Sequence, residues 1–100
     1  MAGGFGSDEY QRAAWTSAPV TVSLSGTTAR SGALGAGMYY VCADVACYFL
    51  QGGSSVDATT ASNYLPAGAI VAMRVTSAAD GYVAAILASG TGTLFIMQPV

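Results

Sequence analysis

MYYVCADVACYFLQ, residues 38–51, is the stretch that decides the fold class. Aromatic and β-branched side chains fill it on both sides of a period-two alternation, the composition of an extended strand. A strand apolar on both faces is usually covered on both, or covers a partner with one of them. Asp44 is its single charge and divides it in two halves. Gly52-Gly53-Ser54-Ser55 ends it, so residues 38–51 read as the longest strand of the chain.

Outward from there the pattern stays β. Val20, Val22 and Leu24 alternate with Thr21 and Ser23 upstream. Residues 26–37, with four glycines among small polar residues, read as a loop holding a short strand around Ala33-Leu34. Downstream, residues 57–63 are polar and Thr-rich, suited to an edge strand, and Pro66-Ala67-Gly68 marks a turn. AIVAMRVT (69–76), YVAAILA (82–88) and TLFIMQ (93–98) follow. Asp80-Gly81 is a favoured tight-hairpin pair, and Ser89-Gly90-Thr91-Gly92 is a second turn, so these last three strands are expected to form a meander. Helix competes only over residues 78–88, where Ala is abundant but Asp80-Gly81 and Tyr82-Val83 oppose it. Five to seven short strands between Gly/Ser turns make the expected fold all-β, a small antiparallel β-sandwich or jelly-roll-like barrel. Residues 1–19, Gly-rich, polar and aperiodic, are assigned to an extended N-terminal arm, and residues 20–100 to the sandwich domain.

Charge is the other informative property. Only 8 % of the 100 residues are charged and 53 % are hydrophobic, whereas ordinary soluble domains carry about a quarter charged residues. Half the residues are Ala, Gly, Ser or Thr, so large core side chains are few. A domain this small leaves roughly 40 % of its unfolded surface exposed, and some of that surface is apolar. Self-association or a protein partner is therefore expected to cover it. A membrane span is not: the best window, residues 69–88, is broken by Arg74, Asp80 and Gly81. No basic start or apolar core of a secretory leader occurs in residues 1–19, which places synthesis in the cytoplasm. Arg12, Arg30 and Arg74 are the only cations, too few and too scattered to grip phosphates, so direct nucleic-acid binding is not expected.

The ingredients of catalysis are sparse. The chain has no His or Lys to activate a nucleophile, and no Gly-x-Ser-x-Gly elbow. Asp8 and Glu9 lie in the arm, Asp57 and Asp80 in expected turns; Asp44 sits in the apolar strand, where it reads as a bulge, an edge or a partner for Arg. Gly35-Ala36-Gly37 and Gly90-Thr91-Gly92 lack the third Gly, the Lys and the following helix of a phosphate loop. No metal or cofactor is expected. Cys42 and Cys47, about 16 Å apart in one extended strand, are too far apart to bridge and read as small buried apolar residues, with an intermolecular disulfide as the alternative. An enzyme is not expected.

What remains is association. Tyr joins a large contact area to a polar tip and is enriched at interfaces, which selects Tyr39, Tyr40, Tyr48, Tyr64 and Tyr82. Trp15 is placed to anchor the arm on a neighbour or on its own sheet, and Arg74 to form an ion pair within or between subunits.

VTVSLSGTT (20–28), GAGMYYVCADVACYFLQGG (35–53), SNYLPAGAIVAMRV (62–75) and ILASGTGTLFIMQPV (86–100) together resemble the small β-rich accessory proteins of tailed-bacteriophage particles, the capsid cement or decoration type. The likeness covers residues 20–100 and is one of texture. No catalytic or metal motif defines such proteins, and no site residue carries over. It implies a sandwich or jelly-roll core, homo-oligomers with a trimer favoured, the major capsid protein as partner, a location in the virion, and terminal arms. The chain is then expected to stabilise the outside of an assembled shell. A head-fibre or tail-tip domain binding a host glycan through Tyr48, Tyr64 and Asn63 is the alternative, and a head–tail connector component a third.

Overall fold

The computed structural model describes residues 19–98. Eight strands run in the order β1 (Val20–Leu24), β2 (Ala29–Arg30), β3 (Gly37–Ala43), β4 (Cys47–Gly52), β5 (Asn63–Leu65), β6 (Ile70–Val75), β7 (Tyr82–Ile86) and β8 (Gly92–Met97), with one 3-10 turn at Ala78–Asp80. They form two four-stranded antiparallel sheets, β1-β8-β3-β6 and β2-β7-β4-β5. Within them β1 pairs with β8, β2 with β7, β3 with β6 and β4 with β5. That is one long antiparallel ribbon, doubled back at the β4–β5 connection. Rolling the ribbon adds the β3–β8 and β4–β7 pairings. The result is the jelly roll, an all-β sandwich in which every connection from β1 to β8 except β4–β5 crosses between the sheets. The expected arm, Pro19 apart, lies outside the described residues, and so does Trp15.

The core is the strip of side chains facing between the sheets. From the first sheet it takes Val22, Leu24, Tyr39, Val41, Ala43, Met73, Val75, Leu94 and Ile96; from the second, Cys47, Leu65, Val83, Ala85 and Leu87. Each strand delivers alternate residues, as period-two burial requires.

The structure corrects several sequence expectations. Residues 38–51 are two strands, not one: β3 leaves the first sheet at Asp44 and β4 begins in the second. Asp44 N donates to Thr93 O at 3.2 Å, continuing the β3–β8 register. The return bond goes to the side chain, with Thr93 N donating to Asp44 Oδ1 at 2.8 Å. The carboxylate thus satisfies Thr93 while the main chain turns away. Gly92 makes room for the corner, because a Cβ there would run into Val45 Cγ2 and Asp44 Oδ1. A turn therefore forms at residues 44–46 with neither Gly nor Pro inside it.

The expected meander of the last three strands is also replaced. β6 and β8 belong to the first sheet and β7 to the second. Asp80-Gly81 is the end of the 3-10 turn and not a hairpin, with Gly81 at φ −87°. The short strand forms at Ala29–Arg30 instead of residues 33–34, and the polar segment 57–63 contributes only its last residue to β5. Beyond β2, buried Ser31 extends the pairing by other means: Val83 N donates to its hydroxyl at 3.0 Å and Ser31 N donates to Val83 O at 2.8 Å.

Asp80 locks the β6–β7 crossing. Its carboxylate accepts from Thr76 N, Thr76 Oγ1 and Ser77 N at 2.9, 2.7 and 2.9 Å, and Ser77 caps the 3-10 turn by accepting from Ala79 N. The hydrogen bonds from Ser77 and Thr76 hold the carboxyl below its ordinary value of 3.8. Because the folded-state value is depressed, this stabilisation is complete above pH 3.8 and is lost as pH falls through the lower folded value. Thermal unfolding followed from pH 6 downward should show this acid-side loss. Asp80→Asn should lower the melting temperature at pH 6 and remove that part of the pH dependence.

Candidate functional site

Register and burial together assign every strand residue to an inner or an outer face. On the first sheet the outward residues of β3 are Met38, Tyr40 and Cys42; of β6, Ile70, Ala72 and Arg74; of β8, Thr93, Phe95 and Met97. Strand pairing lines them up in rows. Thr21, Phe95, Cys42 and Ile70 run straight across all four strands, and Met97, Tyr40 and Ala72 form the next row. Met38 and Arg74 complete a third. Ile70 is 63 % exposed, and Met38 is also exposed. Arg74 is the single charge in these three rows, and Asp44 borders them beside Thr93.

An outward face normally carries the polar half of the alternation. Here only β1 obeys, with Thr21 and Ser23. At ~4.8 Å between strands and ~3.3 Å per residue the apolar area of the other three strands spans roughly 14 by 17 Å, somewhat below the largest patch of a typical monomer.

The second sheet covers itself. Ala84 faces outward by register between Arg30 and Leu50, yet it is 0 % exposed. The β4–β5 connection lies over it. Arg30 Nη1 donates to Ser54 O, and Arg30 Nη2 sits 3.7 Å from Asp57 Oδ1. Val56 occupies the space that a Cβ on Gly52 would need, and Ala58 N donates to Thr28 Oγ1 at 2.9 Å. What stays open is Leu50 and an aromatic pair: the Tyr48 and Tyr64 rings lie 5.5 Å apart, tilted by 53°, on neighbouring strands. Tyr64 is 58 % exposed.

The residues singled out from sequence therefore scatter. Tyr40 and Arg74 lie on the outer face of the first sheet; Tyr48, Tyr64 and Tyr82 lie on that of the second. Tyr39 belongs to the core, 7 % exposed, and its hydroxyl donates to Gly35 O at 2.7 Å, so it offers almost no surface to a partner. Among the described residues the one ion pair is Arg30–Asp57, so the pairing within the subunit expected of Arg74 does not form there. Asn63 Nδ2 donates to Phe49 O at 3.1 Å, which uses one N–H of the amide offered for glycan binding. The two cysteines part company. Cys47 is buried between the sheets, where desolvation raises its thiol above the usual value of 9.0, and Cys42 is half-exposed in the outer apolar row. Both are free thiols.

Phe95, Met97, Cys42, Ile70 and Met38 make up most of the apolar face, and choosing by residue type passed over all five. Their signal was present in the strands themselves, since Thr93-Leu94-Phe95-Ile96-Met97 is apolar on both of its alternating sides.

Among the described residues no group of three or more Cys, Asp or Glu comes together to hold a metal, and no helix is long and apolar enough to cross a membrane. Comparison with protein-family models, curated proteins and solved structures finds no match to this chain.

Proposed function

We propose that the chain is a non-catalytic structural subunit that attaches to other protein chains through the outer face of its first sheet, in the manner of a capsid cement or decoration protein. The observation that carries this reading is the uncharged row Phe95–Cys42–Ile70, with Met97, Tyr40 and Ala72 beside it. Jelly rolls serve many functions, so the fold does not choose among them. The face argues for protein contact, and the likeness of residues 20–100 to phage accessory proteins supplies the kind of contact: the outside of an assembled shell of major capsid protein.

Magnitudes favour many copies acting together. Roughly 240 Å² of apolar surface at ~25 cal/mol per Å² is about 6 kcal/mol before costs, and association costs ~4–15 kcal/mol. One face alone therefore binds weakly, and it is less than half of a standard contact of ~800 Å² per partner. A surface that repeats, such as a shell, compensates through effective concentration. The chain should accordingly cosediment with assembled shells and fail to bind the same coat protein held unassembled. Equal binding to unassembled coat protein would remove the cement reading.

The Tyr48–Tyr64 pair supports a second reading, a glycan-binding head-fibre or tail-tip domain. Specific signal on a glycan array with no shell binding would put that reading first.

A further inference from the structure

The sheet that carries the apolar face ends on one side in β6, and that edge is built to meet a copy of itself. The direction of its backbone groups follows from three hydrogen bonds. Asp44 N donates to Thr93 O, so even-numbered residues of β3 bond toward β8 and odd-numbered ones toward β6. Ala43 O accepts from Gly68 N, on the β6 side, as that parity requires. In the β3–β6 register Tyr39 pairs with Met73 and Val41 with Val71, so Val71 and Met73 spend their groups on β3. Ile70, Ala72 and Arg74 must then point theirs away from the sheet. Arg74 O does so, accepting from Gln51 Nε2 of the other sheet at 2.7 Å. The N–H and C=O of Ile70 and Ala72, and the N–H of Arg74, face outward with no strand beside them among the described residues.

Edges like this are normally blunted by Pro, Lys, a bulge or brevity. IVAMRV has no Pro, Lys or bulge and is six residues long; its one blunting device is the exposed charge of Arg74, and its other two outward side chains are uncharged and exposed. The other edges are poorer templates. β2 has two residues and β5 three, and β1 follows directly on Pro19.

We propose that two copies of this chain pair antiparallel through β6, on a two-fold axis at Ala72. The register follows by elimination. A two-fold pairing must bring even-numbered residues opposite even-numbered ones. Centring on Val71 would place Arg74 against Gly68, whose N–H is already given to Ala43 O. Centring on Met73 would place Ile70 against Thr76, whose N–H is held by Asp80. Centring on Ala72 uses only N–H groups that are unspent, and Arg74 O, which accepts from Gln51, has a second lone pair for Ile70 N–H of the mate. It sets Ala72 against Ala72, Ile70 against Arg74 and, on the inner side, Val71 against Met73. The strand's single charge never meets itself, and the smallest side chain sits on the axis. The interface is isologous, as closed dimers require. It joins the two outer faces into one eight-stranded surface with the row Met97–Tyr40–Ala72 continuing into its symmetry mate.

This pairing sets a two-fold, whereas the resemblance favoured a trimer, and it is measured on the purified chain alone, so its failure is separable from failure of shell binding. Sedimentation velocity on the full chain across a concentration series should show a monomer–dimer equilibrium. Ile70 lies opposite Arg74 of the mate twice per dimer, so charge placed there is read by sign. Ile70→Glu should dimerise at least roughly tenfold more tightly than Ile70→Lys, at an exposed position where both should fold. The double variant Ile70→Lys/Arg74→Glu should regain what Ile70→Lys loses. A monomer at all concentrations, a trimer, equal behaviour of the Glu and Lys variants, or no rescue by the double variant would each overturn the pairing.

Discussion

Leu94→Ala is expected to destabilise the domain by about 3 kcal/mol, within the usual range for truncating a fully buried leucine. Leu94 is 0 % exposed and stands between Val22 of β1 and Ala43 of β3 in the inner row of the first sheet. Its neighbours cannot collapse into the gap. Ala43 is too small, and Val22 is held by the ladder to β8. Half the chain consists of Ala, Gly, Ser and Thr, so each large inner side chain supplies a high share of the apolar burial. For a chain of this size the loss corresponds to a fall in Tm of roughly 12–24 °C, measurable by circular dichroism. A loss below about 1 kcal/mol, the scale of surface substitutions, would mean that the packed strip lies elsewhere.

Phe95→Glu should have the opposite profile, leaving the fold nearly intact and abolishing association. Phe95 is next to Leu94 in sequence but points to the other side of the sheet, in the row with Thr21, Cys42 and Ile70. An aromatic residue at the centre of an apolar contact commonly contributes 2 kcal/mol or more, about thirtyfold in affinity, and a carboxylate there adds the cost of its own desolvation. Shell cosedimentation should drop by at least that factor while Tm moves by a few degrees. If Phe95→Glu unfolds the chain as Leu94→Ala does, the face is part of the core. If binding is unchanged, the contact lies on another surface.

These two adjacent residues show what could be read locally and what could not. The period-two alternation of Val20–Leu24 was legible, because burial on one face leaves a local imprint, and the strands at Ile70–Val75 and Gly92–Met97 were legible as apolar runs between turns. Which sheet a strand joins leaves none. Residues 38–51 look like one strand because both halves have the same composition. The turn between them depends on a carboxylate bonding to Thr93 N and on Gly92 yielding space, contacts 49 residues apart in the chain. Asp80-Gly81 misled for a related reason: the pair suits a hairpin, but Thr76 and Ser77 draw the Asp80 carboxylate into a cap instead. Choosing tyrosines by type could not tell one face from another. Tyr39 and Tyr40 are neighbours of the same kind, and only their direction from the sheet separates core from surface.

Cys42 reports on the apolar face without any substitution. It lies between Phe95 and Ile70 in the outer row, half-exposed, while the chain's other thiol, Cys47, is buried with its ionisation suppressed. Titrating the dilute chain with a thiol reagent under native conditions should therefore modify one cysteine, identified by peptide mapping as Cys42. Once the chain is bound in its assembly, that modification should be suppressed. Cys42 reacting equally fast in the free and assembled states would show that the face stays open to solvent, and would contradict its assignment as the surface through which this protein joins others.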